Sequence, residues 1–246
     1  MMKKTKVMIE GAMDMETELL IASLEQPREY LFGTWRFVEG MYKNVPLVVA
    51  VTSIGAANAA AATVLGIEHF KPAAVISQGT AGGHDPELQA FDIVLGKQSF
   101  DASSYRTAKE DKTDWRNMEL MGGYAYDQHT KAFYPQEVYC PGDEGLLAAA
   151  HKTAVSYTRG SVVDGCIASC NSWTRQKERL LYFHENFGSS CEEMEVHAAA
   201  MICRQYAVPF LGIRIIANTE FSDAEFQPEA AHVCQNFVLN VVQNII

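Results

Sequence analysis

Two kinds of apolar pattern alternate along this chain. Short continuous apolar runs, the mark of buried strands, fall at 6–10 (KVMIE), 47–52 (LVVAVT), 73–78 (AAVISQ), 91–100 (FDIVLGKQSF), 161–169 (SVVDGCIAS) and 210–218 (FLGIRIIAN). Between them, apolar residues recur at intervals of three and four. That spacing predicts helices over 14–25 and 55–70, and near 143–156, 174–186, 193–206 and 226–244. Apolar strands separated by helices predict an α/β fold around a largely buried, parallel or mixed sheet. The segment 101–141 is polar, aromatic-rich and weakly periodic, which marks a functional or interface loop. No internal repeat is evident.

Composition narrows this picture. The chain has 246 residues, 48% of them apolar, enough to bury a sizeable core as one domain over 1–246. A formal net charge of −10 argues against a nucleic-acid partner, which needs a basic face, but leaves room for a small uncharged ligand such as a nucleoside. The start, MMKKTKVMIEGAM, has no signal-peptide core, and no apolar run approaches the roughly 20 residues that span a bilayer. The expectation is a soluble cytoplasmic protein without membrane contact. Six cysteines and seven histidines are scattered. Cys166 and Cys170 sit at CxxxC spacing with no second pair nearby, so buried free thiols are expected rather than a metal site.

Several short stretches carry candidate chemistry. In SSCEEMEVHAAAM, Ser190 and Glu193 fit a capping box, and Glu192 falls in the first turn of the predicted helix. Glu195 heads an apolar stripe of Ala199, Ile202 and Tyr206, so its carboxylate either reaches solvent at a rim or meets a partner or polar ligand. In GAMDMETELL, Asp14 is a plausible N-cap and Glu16 lies in the first turn, as either a surface glutamate or a catalytic one. GTAGG (79–83) follows an apolar strand, where glycines allow close backbone approach to a ligand or simply make a tight turn. SIGAANAAAA turns from strand to helix through Gly55. Trp173 is a core residue or a platform for a flat ring. Asn218 ends a strand with both a donor and an acceptor.

The order of these stretches resembles a known series. GAMDMETELL, SIGAANAAAA, ISQGTAGGHDPELQAFDIV, IASCNSW, EEMEVHAAA and VPFLGIRIIAN are similar to the successive motifs of the nucleoside phosphorylase/nucleosidase superfamily. The likeness is greatest to its 5′-methylthioadenosine/S-adenosylhomocysteine nucleosidases, and runs from about residue 6 to the last helix, with 101–141 poorly matched. The resemblance implies a three-layer α/β/α sandwich with a central mixed sheet, a homodimer, and cleavage of a purine nucleoside's N-glycosidic bond without metal or cofactor. It assigns Glu16 to the water nucleophile. Met194 and Glu195 fall at the ribose, and Met13, Ile54, Thr80 and Arg214 line or support the sugar pocket. Ala81 and Gly82 lie along the base, Trp173 takes the place of a stacking phenylalanine, and Phe226 is a candidate wall for the 5′ pocket.

The chain also departs from that pattern. The family's Ser-Asp, whose aspartate serves purine N7, is here Ala217-Asn218, and a second Gly-Asp is Cys170-Asn171. An amide cannot deliver a proton, so Asn218 fits an altered base preference, a slow or lost activity, or a replaced aspartate. Phosphorylases of the superfamily place arginines where this chain reads EGAMDME and ISQG; only Arg106 and Arg116, in the irregular segment, could supply charge from elsewhere. Water is thus the expected nucleophile. The alternatives are a purine nucleoside phosphorylase, a 6-oxopurine nucleoside hydrolase, and a catalytically weakened nucleoside-binding homologue.

Overall fold

The computed structural model describes residues 6–107, 116–222 and 225–245. The chain begins with β1 (Val7–Gly11), a 3₁₀ turn (Asp14–Glu16) and α1 (Glu18–Ala22). A meander follows, of β2 (Glu25–Phe32), β3 (Trp35–Tyr42) and β4 (Val45–Val51). Next come α2 (Ala56–Phe70), β5 (Ala74–Gly83) and β6 (Ile93–Asp101). Four short strands, β7 (Tyr105–Thr107), β8 (Met118–Leu120), β9 (Tyr124–Asp127) and β10 (Ala132–Pro135), form two separate ribbons. The rest comprises β11 (Cys140–Pro141), α3 (Glu144–Ala154), β12 (Val162–Ser169), α4 (Lys177–Phe187), β13 (Ser189–Glu193), α5 (Val196–Gln205), β14 (Phe210–Asn218) and α6 (Glu229–Gln243).

The main sheet runs β11-β6-β12-β13-β5-β1-β4-β3-β2, with β14 bonded to both β5 and β6. It is mixed: β1 lies parallel to β4 and β5, whereas β14 is parallel to β5 and antiparallel to β6. Strands β5, β14, β6, β12 and β13 therefore close on themselves, while β1, β4, β3 and β2 extend as an open wing. The strand pleat sorts side chains to two faces. Val7, Ile9, Leu47, Val49 and Ile76 join Leu146, Ala149, Phe237 and Val238 of α3 and α6 in one core. Met8, Val48, Ala50 and Val75 join Ala62, Ala199, Ala200 and Cys203 of α2 and α5 in the other. The expected α/β/α layering follows from this division. One carboxyl breaks the apolar run of β1: Glu10 is buried, accepts from Thr63 Oγ1 at 2.9 Å, and burial pushes its pKa up to about 8.

The structure corrects several expected elements. The helix placed at 14–25 is a 3₁₀ turn plus a short α1, and residue 25 already starts β2. Asp14 is not its N-cap, since Met13 holds that position. The hairpin of β2 and β3 has no counterpart in the apolar pattern because β2 is an edge strand, mostly exposed and charged, with Pro27 within it. GTAGG is neither loop nor tight turn but the extended end of β5. Residues 189–193, placed at a helix start, form a strand instead, because β12 and β5 offer them ladder partners on both sides.

Candidate active site

The carboxyl ends of β5, β13 and β14, the segment after β12 and the turns after β1 and β4 enclose a cavity of about 370 Å³. That is a size typical of small-molecule sites. Two of the glutamates that line it, Glu16 and Glu195, come from elements far apart in sequence.

Glu16 comes from the turn after β1 and is only 3% exposed. Its Oε1 accepts from Thr80 N at 2.8 Å and Thr80 Oγ1 at 3.0 Å; its Oε2 accepts from Ala12 N at 3.0 Å and Met13 N at 3.2 Å. Gly79 permits this approach: a Cβ added there would lie 2.7 Å from Oε1. Three of the four donors are fixed backbone N–H groups, and the Thr80 hydroxyl alone can turn away to admit another partner.

Glu195 occupies the N-cap position of α5 and is 9% exposed. Its Oε1 accepts from Gly55 N at 2.7 Å. Gly55 has φ +101°, a conformation glycine adopts without steric cost, and that turn aims its N–H at the carboxylate. Behind Glu195, Arg214 Nη2 donates to Glu193 Oε2 at 2.6 Å and stands 3.7 Å from Glu195 Oε2. Arg214 Nη1 donates to the carbonyls of Ser77 and Ile213. Burial and the adjacent Glu193 charge push the Glu195 carboxyl up to about 7, against the pull of Arg214 and the Gly55 N–H; the Glu16 charge adds to the rise.

Every residue that the resemblance assigns to the site lines the cavity except Arg214, which is buried and reaches it only through Glu193, a lining residue. Met13 and Met194 lie near Glu16 and Glu195 in sequence, Ile54 precedes the Gly55 that bonds Glu195, and all three line the same cavity. Ala81 and Gly82 continue along β5, where a Cβ on Gly82 would sit 3.5 Å from Asn218 Nδ2. Trp173 is no core residue: it is 62% exposed and meets Phe226 edge to face, ring centroids 6.5 Å apart. Arg106 pairs with Glu119 and Arg116 with Glu178, and neither lines the cavity.

The capping box expected of Ser190 and Glu193 takes another form. Ser190 Oγ accepts from Cys166 N at 3.3 Å, whereas Glu193, from the end of β13, accepts from Glu195 N and Val196 N at 2.9 Å each. Because α5 starts at Val196, its buried face is Val196, Ala199, Ala200 and Cys203, one position off the expected stripe, and Tyr206 is exposed.

The cavity also holds polar groups that were not singled out as ligand-facing. Glu192 Oε1 accepts from Thr174 N at 2.8 Å, and Oε2 from Thr174 Oγ1 at 2.9 Å and Cys170 Sγ at 3.3 Å. His84 is fully buried, with Nδ1 2.8 Å from Ser189 Oγ and Nε2 3.6 Å from Glu192 Oε2. Burial alone would raise the Glu192 carboxyl, but His84 and the donors of Thr174 bring it below the ordinary range. The helix-start reading of 189–193 places Glu192 in a first helical turn, and His84 carries no spacing signal at all.

Comparison with known proteins bears on the whole chain. A model of the Phosphorylase superfamily matches residues 6–243. The 5′-methylthioadenosine/S-adenosylhomocysteine nucleosidase of Shewanella pealeana is 30% identical over 249 residues, covering 98% of this chain and 100% of that protein. The crystal structure of the Neisseria meningitidis nucleosidase of the same name, in complex with methylthio-immucillin-A, superposes with a TM-score of 0.80 at 28% identity, covering 97% of this chain and 99% of that one. Futalosine hydrolase of Helicobacter pylori shares the fold, with a TM-score of 0.77 at 24% identity over 97% of each chain.

Proposed function

Since the chain belongs to the phosphorylase superfamily, we propose that it hydrolyses the N-glycosidic bond of a purine nucleoside of the methylthioadenosine/S-adenosylhomocysteine type, releasing free base and a ribose derivative. The observation that carries this reading is the convergence of Glu16 and Glu195 on one cavity from elements far apart in sequence. Breaking the bond between ribose and base leaves positive charge on the sugar. In this reading, Glu195 accepts hydrogen bonds from the ribose hydroxyls and stabilises that charge at low local dielectric. Glu16, held by three backbone N–H groups, orients water and takes its proton when the Thr80 hydroxyl swings aside. Asn218 hydrogen-bonds the leaving base without protonating it.

Water is favoured over phosphate because no lysine or arginine among the described residues lines the cavity; a phosphate dianion calls for charged donors. Assembly as a homodimer and a cytoplasmic location belong to the same reading. Exposed Ile54 and Trp173 at the cavity rim support the first, and six buried free cysteines support a reducing compartment.

The test is incubation with methylthioadenosine, adenosylhomocysteine, adenosine and inosine, with and without phosphate, following free base by chromatography. Base should appear at the same rate in both conditions. Release that depends on phosphate would make the protein a phosphorylase.

A further inference from the structure

Glu16 rides on a segment that cannot hold its own shape. The 3₁₀ turn Asp14–Glu16 has three residues and α1 (Glu18–Ala22) has five. Helices shorter than about 12 residues are marginal in water without tertiary support. The residue before α1, Thr17, makes no side-chain cap to its first N–H groups. Its hydroxyl instead donates back to the Met13 and Asp14 carbonyls. The orphan donors at the start of α1 must therefore be met from elsewhere.

Two buried amides, from different elements, supply what is missing. Gln235 of α6 is fully buried and lies 216 residues beyond Leu19. Its Oε1 accepts from Leu19 N at 2.9 Å and from Leu20 N at 3.2 Å, which is the bonding of a helix N-cap delivered by a remote residue. Its Nε2 donates to the Met15 carbonyl at 2.8 Å and to the Ala231 carbonyl of its own helix at 3.1 Å. Both lone pairs and both N–H groups are used, so the amide has one orientation. Gln78 of β5, also buried, donates from Nε2 to the Glu16 carbonyl at 2.6 Å. The carbonyls on either side of the Glu16 N–Cα–C unit are thus tied, one to α6 and one to the sheet.

The Glu16 carboxylate needs that accuracy, because its donors come from two directions: Ala12 N and Met13 N from before the turn, Thr80 N and Oγ1 from β5. Neither Gln78 nor Gln235 lines the cavity, so neither touches a ligand there. Resting on the reading of Glu16 as the group that takes water's proton, we propose that Gln235 and Gln78 are positioning residues for the reaction, fixing from outside the cavity the turn that aims the Glu16 carboxylate.

The variants Gln235→Met and Gln78→Met, each alone and combined with Glu16→Gln, test this in two ways. With methylthioadenosine as substrate, each single variant should lower kcat by about ten- to hundredfold, the cost of a small misplacement at a reacting group. KM should move by less than about twofold, since no substrate contact is lost. On the Glu16→Gln background the same substitutions should lower kcat by less than about twofold, because residues acting through one group are not additive. Amide hydrogen exchange followed by NMR is the second measurement. Gln235→Met should deprotect Leu19 and Leu20 whatever its role, but Ala12, Met13 and Thr80, whose N–H groups hold the carboxylate, should lose protection in both variants only if Glu16 shifts. Wild-type kcat in either folded variant, an equal loss on the Glu16→Gln background, or unchanged protection at those three amides overturns the assignment. Failure of both variants to fold overturns it too, by making the amides supports of the fold alone. If no nucleoside is cleaved, the hydrolase reading fails by itself, and exchange at the three amides still decides whether Gln235 and Gln78 place Glu16.

Discussion

Glu16 and Glu195 are both buried, yet their surroundings differ. Glu16 meets four donors, whereas Glu195 has one close N–H, a guanidinium at 3.7 Å, and the like charge of Glu193 nearby. Replacing either by Gln should lower base release by about 10²–10⁴-fold, the usual worth of a positioned acid–base or charge-stabilising group. The fold should survive, with circular dichroism and melting temperature near those of the parent; wild-type turnover in either variant would remove that residue from the mechanism. The pKa of Glu195 gives a direction with pH. Its acceptor role needs the ionised form, so kcat/KM should climb through about pH 7 rather than in the ordinary carboxylate range. The effect on stability has the opposite sign. The folded state holds this proton up to about pH 7 while the unfolded chain loses it near 4.5, so between those values rising pH costs stability. A pH–rate profile beside a pH–melting series reads both. Glu16 and Glu195 stand out in the sequence as acidic residues at junctions between elements, and the family likeness supplies the roles that pattern alone leaves open. His84 could not, because its meaning lies wholly in Ser189 and Glu192, more than a hundred residues away.

Among elements, β5 contributes most to the site. Its buried half, Ala74–Gln78, packs between the two helical layers, and its glycine-rich half carries the extended backbone onward beside Glu16 and Asn218. Gly79→Ala tests the division. The added Cβ would collide with the far end of the Glu16 side chain, 2.7 Å away, rather than with backbone. The side chain can move aside, but alanine rarely adopts the φ of +159° found at Gly79, so stability should fall by about 1–3 kcal/mol, while base release should fall tenfold or more as the carboxylate leaves its donors. Loss of stability with base release unchanged would mean that Gly79 serves the fold alone. Strands buried on both faces were plain in the sequence as unbroken apolar runs. Edge strand β2 and the short β13 were not: the first is exposed and charged, and the second is held by ladder bonds from β12 and β5 that no local pattern records.

At the scale of the whole molecule, β14 closes the ring of strands, and Arg214 fastens that closure. From β14 its guanidinium reaches the Ser77 carbonyl on β5 and Glu193 on β13, with both partners of the ion pair 2% exposed at their side chains. Arg214→Met would strand Glu193 as an unpaired buried charge, at a cost of about 3–5 kcal/mol. Denaturant unfolding should show that loss; a change below about 1 kcal/mol would mean that water or another group compensates. Local pattern by itself determined the α/β class, the positions of the buried strands and most helices, and the family likeness, because alternation, helical spacing and motif order are properties of consecutive residues. Only the tertiary structure decided that Arg214 is buried against Glu193 and Glu195, that Glu192 lines the cavity, and that Asn218 and Glu192 share Gly82 between them. Those facts depend on which strands become neighbours and in what register, and register is set by packing across the whole sheet.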